Sequence, residues 1–186
     1  DGTIVKAYSI DATPAQAVKT ALLDLTDGPV ALCVSGINYG ENVGSGVTIS
    51  GTVGAALQAA CMGGPGLAIS LEVDHQHHTT NSHTVSFRHA AHFVTYFAER
   101  LLKNALPPDV DVLKVDIPAN ATPQTEWRMA PQSRHTRFLP TPQAVNARGL
   151  TAHAGYHPAP DLNGVEPGSD VAVLLVDRLV AVTPLS

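Results

Sequence analysis

Asn38, Asn42 and the triplet Ser50-Gly51-Thr52 carry amides, hydroxyls and backbone N–H groups able to meet a cation or an anion, all within PVALCVSGINYGENVGSGVTISGTVGAALQAACM, residues 29–62. A neutral amide can give its oxygen to a hard cation or an N–H to a phosphate, so Asn38 and Asn42 could do either; both also suit a turn with left-handed backbone. Ser50, Gly51 and Thr52 could offer two hydroxyls and several backbone N–H groups to a phosphoryl oxygen, or could simply cap a helix. Glycines at 36, 40, 44 and 46 make the intervening segment a loop. It contains no Walker Gly-Lys-Ser/Thr, and its glycine spacing misses the dinucleotide fingerprint.

The flanking pattern supplies the elements that must hold these groups. Val30 to Val34 is an apolar run that breaks at Ser35-Gly36, and the helix expected from Thr52 to Met62 has only Gln58 as a clear polar side chain. The stretch therefore reads strand, glycine loop, buried helix. In α/β sheets ligands bind at the carboxyl ends of strands, where a helix start points unpaired N–H groups at an anion. Upstream, residues 4–10 (IVKAYSI) alternate as a strand, and Thr13-Pro14 opens a helix that Asp27-Gly28-Pro29 ends. Downstream come strands at Leu67–Val73 and Val110–Ile117 around a helix at His89–Asn104. This alternation predicts an α/β fold, a Rossmann-like three-layer sandwich with a mainly parallel sheet. After Pro118 prolines recur at 123, 131, 140 and 142, a basic segment spans Trp127–Phe138, and the helical period disappears. We expect an extended C-terminal β arm there, used in oligomerisation, with Val171–Val182 returning to the sheet. Residues 1–118 form the expected α/β core, and residues 119–186 the β-rich arm and return strand of the same domain.

At 186 residues, 44% hydrophobic and 15% charged, the chain can bury one sizeable core. A formal charge of −5 lacks the basic footprint of a nucleic-acid duplex or membrane-surface binder, and no run approaches the roughly 18 apolar residues of a spanning helix. Cys33 and Cys61 are expected as buried thiols, which fits a reducing, cytoplasmic setting. The chain begins at Asp1 without a methionine.

Three further constellations are weaker. Asp74-His75-Gln76-His77-His78, with His83, His89 and His92, could bind a metal or form a polar linker. Arg128, Arg134, His135 and Arg137 could clamp an anion, or line an amphipathic ribbon facing solvent or a neighbouring subunit. Asp11, Asp74, Asp116 and Asp170 are scattered, and no Asp-x-Asp sits at a strand end, so the clustered carboxylates of metal-assisted phosphoryl chemistry are not visible. No nucleophile-and-base set stands out.

The stretch VSGINYGENVGSGVTISGTVGAAL closely resembles the signature of the SurE-type (survival protein E) nucleotidases, Ser-Gly-x-Asn-x-Gly-x-Asn-x-Gly followed by Ser-Gly-Thr-Val at a helix start. Thr13-Pro14-Ala15, Gly66 to Ser70, Val115 to Pro118 and Gly168 to Leu185 resemble further family segments in the same order, so the likeness covers most of the chain. The resemblance implies a divalent-metal-dependent phosphatase of nucleoside 5′- and 3′-monophosphates, using Mg²⁺ or Mn²⁺ and assembling as a homodimer or homotetramer with exchanged arms. Carried over, Asn38 matches the amide metal ligand, and Asn42 with Ser50, Gly51 and Thr52 the phosphate-binding positions. The family's Asn-Asp-Asp-Gly motif, whose aspartates bind the metal, and a further serine ligand are not matched in this sequence. The catalytic carboxylates therefore cannot be assigned, and residues 1–118 are expected to be a nucleotidase core lacking its first βαβ unit. The alternative is a non-catalytic phosphate- or nucleotide-binding, or oligomer-forming, module.

Overall fold

The computed structural model of the chain describes residues 2–78, 80, 82–141 and 155–186. Thr13 caps the first helix, α1 (Pro14–Thr20), in a reciprocal box: its Oγ1 accepts from Gln16 N at 3.3 Å, and the Gln16 side chain accepts from Thr13 N at 3.0 Å. These bonds satisfy two donors that a helix start leaves orphaned. A wide turn over Ala21–Leu25 extends the helix until Thr26 takes extended backbone, and Gly28, at φ +121°, follows in the connection to the first strand. Then follow β1 (Cys33–Tyr39), α2 (Gly51–Cys61), β2 (Gly66–Leu71), α3 (Arg88–Lys103) and β3 (Val112–Ile117). Short strands β4 (Trp127–Met129), β5 (Phe138–Pro140) and β6 (Tyr156–Pro158) precede the closing β7 (Val180–Leu185).

The main sheet has the order β1-β2-β3-β7-β4; β1, β2 and β3 are mutually parallel, β7 is antiparallel to β3, and β4 is parallel to β7. Side chains alternate across it. Leu67, Ile69 and Leu71 of β2 pack with Ala90, Phe93 and Phe97 of α3 on one face, while Ala68 meets Val53 and Ala56 of α2 on the other. Helix α1 lies over α2. Burying Phe93 or Phe97 stabilises this arrangement by about 2–3 kcal/mol each. The three-layer α/β sandwich expected from the sequence is therefore present, and among the described residues the main sheet's only antiparallel pairing lies between β3 and β7.

Several local expectations are corrected. Residues 4–10 form no strand: Ile4, Val5 and Tyr8 are exposed and no described strand pairs with them. An alternating pattern needs a ladder partner to become a strand. Strand β1 does not break at Ser35-Gly36 but runs on to Tyr39, because Gly36, at φ +116°, lets it press on β2; a Cβ there would stand 2.2 Å from Ile69 O. The register shifts between Ser35 and Asn38, and Asn38 then pairs with Ser70.

The expected arm is divided. Trp127–Met129 pairs with β7 in the main sheet, and one side of the exposed indole rests against α3: the ring lies 5.8 Å from Phe97, and Nε1 donates to Tyr96 Oη at 3.2 Å. Among the described residues only β5 and β6 form a separate antiparallel ribbon; residues 142–154 of the expected arm lie outside the described residues, as does Asp1. The run Val171–Val182 is a strand only from Val180. Before it, Ser169 Oγ accepts from Ala172 N and a helical turn spans Ala172–Val176. Cys61 is exposed on the last turn of α2 and Cys33 is part-buried, so the expectation of two buried thiols fails for Cys61. No helix among the described residues is long and apolar enough to cross a membrane.

Candidate active site

A cleft of about 620 Å³ opens beside the carboxyl end of β1, and Asn38, Asn42, Ser50, Gly51 and Thr52 all line it. Asn38 is the next-to-last residue of β1. Its Nδ2 donates to Gly40 O at 2.9 Å and Tyr39 O at 3.3 Å, which orients the amide with nitrogen on the backbone and Oδ1 on the opposite side. That oxygen is a neutral, hard acceptor. Ser50 is the N-cap of α2, its Oγ accepting from Val53 N at 3.1 Å, so the capping alternative is realised. An oxygen that accepts still has its own proton to donate, and the N–H groups of Gly51 and Thr52 belong to the first turn, which has no intrahelical acceptor. Gly51 is tight against α1: a Cβ would lie 2.9 Å from Pro14 Cγ, which brings the starts of the two helices together at the cleft.

Asn42 is fixed from two sides. Its N–H donates to Asp116 Oδ1 and its Nδ2 to Ser70 Oγ, each at 2.7 Å. One amide proton is therefore committed to the protein. Asp116 in turn holds Lys114 Nζ at 2.5 Å, and the same ammonium reaches Asp170 Oδ2 at 3.1 Å; all three side chains are fully buried. Asp170 also accepts from the N–H groups of Gly44, Ser133 and Val171. Burial alone would lower the Lys114 pKa, but the charges of Asp116 and Asp170 outweigh it and raise it above the ordinary lysine value. The two aspartates that look scattered in the sequence thus meet beneath the loop, where they act as struts. A cue was available: Lys114 and Asp116 stand two apart in an apolar strand, hence on one face.

Glu41, Phe138 and Tyr156, which the sequence did not single out as site candidates, line the same cleft, together with His78 of the histidine run. Glu41 is 5% exposed; its Oε1 accepts from Arg137 Nε at 3.0 Å, while Oε2 is buried without a hydrogen-bond partner. Burial pushes its carboxyl above the usual carboxylate range, against the opposing effects of a backbone hydrogen bond and Arg137. His78 Nδ1 meets Tyr156 Oη at 3.1 Å, Nε2 is buried without a partner, and burial lowers the imidazole pKa. Phe138 stands 5.3 Å from His78 and 5.4 Å from Tyr156, ring to ring. Two of the four basic residues considered for an anion clamp are already engaged: Arg137 with Glu41 and Arg128 with Asp177. The histidine run forms a short 3-10 turn at His75–His77, with residues 79 and 81 outside the described set. Among the described residues no group of three or more His, Cys, Asp or Glu side chains is arranged for a metal.

A family model described as "Survival protein SurE" matches residues 3–138. The chain is 39% identical to the "5'-nucleotidase SurE" of Thermococcus kodakarensis, over 97% of this chain and 68% of that protein. It is 36% identical to the protein of the same name from Thermococcus gammatolerans, over 97% of this chain and 66% of that one. The crystal structure of the SurE protein from Aquifex aeolicus superposes with a TM-score of 0.71 at 24% identity, covering 94% of this chain and 67% of that one. The chain thus spans about two thirds of the length of the relatives it matches. With the family model spanning residues 3–138 and the glycine loop, the helix cap and the sheet in place around one cleft, the chain belongs to the SurE family.

Proposed function

We propose that this chain forms the phosphate-facing wall of a divalent-metal-dependent phosphomonoesterase that hydrolyses nucleoside 5′- and 3′-monophosphates in the cytoplasm. The observation that carries the proposal is the convergence of Asn38, Asn42 and Ser50-Gly51-Thr52 on one cleft at a strand end and a helix start. The N–H groups of Gly51 and Thr52, the Ser50 hydroxyl and the free amide proton of Asn42 would hold the phosphoryl oxygens, and the dipole of α2 favours the charge that builds on them. Asn38 Oδ1, turned away from the backbone carbonyls that hold its nitrogen, fits one oxygen ligand of Mg²⁺ or Mn²⁺; in the family the further ligands come from the Asn-Asp-Asp-Gly segment. Such an ion supplies Lewis-acid chemistry and a water of lowered pKa. The names of the relatives support a 5′-nucleotidase.

The test is hydrolysis of 5′-AMP by the complete protein with Mn²⁺ titrated against a chelator. Asn38→Ala should shift the Mn²⁺ dependence to at least tenfold higher metal, since losing a direct oxygen ligand costs no less than the roughly 10–100-fold lost with an outer partner, and Thr52→Ala should mainly slow turnover. Wild-type rate and wild-type Mn²⁺ dependence in Asn38→Ala would overturn the assignment. Phosphate binding by the complete wild-type protein without turnover would favour the non-catalytic alternative.

A further inference from the structure

Glu41 is a charged side chain, 1% exposed, on the wall of the cleft, with one carboxylate oxygen held by Arg137 and the other unpartnered. A buried acceptor without a donor costs about 1–3 kcal/mol, and more when charged, so Oε2 calls for a donor. His78 stands close by: its Nε2 would lie 2.6 Å from a Cβ on Gly40, the residue before Glu41, and it too is buried without a partner. Phe138 and Tyr156 complete this end of the cleft, and both line it. The end is clamped to the phosphate loop by three bonds: Arg137 to Glu41, Ser45 N to His135 O at 3.0 Å, and Ser45 Oγ to Thr136 Oγ1 at 3.2 Å. The cleft is therefore lined both by N–H and O–H donors for an anion and, at the residue before Asn42, by an unpartnered acceptor, with Phe138 and Tyr156 on the same lining.

We infer that Glu41 anchors the sugar of a nucleotide, its Oε2 accepting a hydrogen bond from a ribose hydroxyl while Phe138 and Tyr156 flank the base. This rests on the nucleotidase reading of the same cleft. A hydroxyl supplies the donor that the carboxylate lacks, and a hydrogen bond to a charged acceptor is among the stronger ones. Flat aromatic rings beside it suit a base by stacking.

Three substrates separate the parts: 5′-AMP, 2′,3′-dideoxyadenosine 5′-monophosphate, which lacks the sugar hydroxyls, and ribose 5-phosphate, which lacks the base. In the complete enzyme, Glu41→Gln keeps the shape and the Arg137 contact, since Arg137 will select the amide oxygen and leave the NH₂ toward the cleft. KM for 5′-AMP and for ribose 5-phosphate should rise about tenfold, with KM for the dideoxy nucleotide within twofold of wild type. Phe138→Ala should raise KM for the two adenine nucleotides and spare ribose 5-phosphate. Equal changes on all three substrates in Glu41→Gln, or a loss confined to kcat, would reduce Glu41 to a structural clamp and overturn the inference. No hydrolysis of 5′-AMP by the wild type would instead overturn the nucleotidase reading itself. If Glu41→Gln fails to fold, Glu41→Asp, which shortens the reach but keeps the charge, must show the same selective rise in KM.

Discussion

Lys114 is a fully buried ammonium shared between two buried carboxylates. One positive charge against two negative ones leaves the cluster anionic, and the N–H groups of Asn42, Gly44, Ser133 and Val171 complete its hydrogen bonding. Removing the lysine would leave two carboxylates without their counter-charge, so Lys114→Met should cost about 3–5 kcal/mol, read as a shift of the urea midpoint at pH 7. The sign of the pH effect follows from the raised pKa. Stability from the lysine is fully present below its unfolded pKa of about 10.4 and is lost as pH climbs through the higher folded value. The gap in stability between wild type and Lys114→Met should therefore narrow as pH climbs into the strongly alkaline range. A constant gap between them across that range would contradict the assignment.

At the scale of elements, β1 shows how a glycine sets the site. With Gly36 at φ +116° and Ile69 O 2.2 Å from where a Cβ would stand, the strand can bend and still deliver Asn38 opposite Ser70. Gly36→Ala should destabilise the protein by roughly 2–4 kcal/mol through backbone strain and overpacking, measured by urea unfolding; a change below about 0.5 kcal/mol would mean that the strand has another way to bend.

The same element marks what was legible in the sequence. The helix cap at Ser50, the buried helix behind it and the central strands follow from local chemistry and periodicity, so all five singled-out residues fall in one cleft. The course of β1 past Ser35 depends on contact with Ile69, and the place of Trp127 on a ring from α3, neither of which leaves a local signal. Glu41 was missed for a related reason: its partner, Arg137, stands in a basic segment far along the chain, and nothing near either residue announces the pair.

For the whole molecule, no residue of β5 or β6 joins a buried hydrophobic cluster among the described residues, and Ile49, Trp127 and Met129 are exposed apolar side chains. Apolar surface of this kind is most readily covered by a second copy in a closed symmetric assembly. We expect the complete protein to be a dimer or tetramer by light scattering at micromolar concentration; a monomer there would count against it.

The struts beneath the glycine loop also carry a consequence for folding. Asn42 is bonded to a residue 74 positions away and Gly44 to one 126 away, and contacts so distant in sequence form only after the intervening chain has been ordered. The loop can take up its ligand-facing shape only once β3 and the Ser169–Val171 turn are in position, so a nascent chain emerging from the ribosome carries the entire SurE signature well before it carries a site.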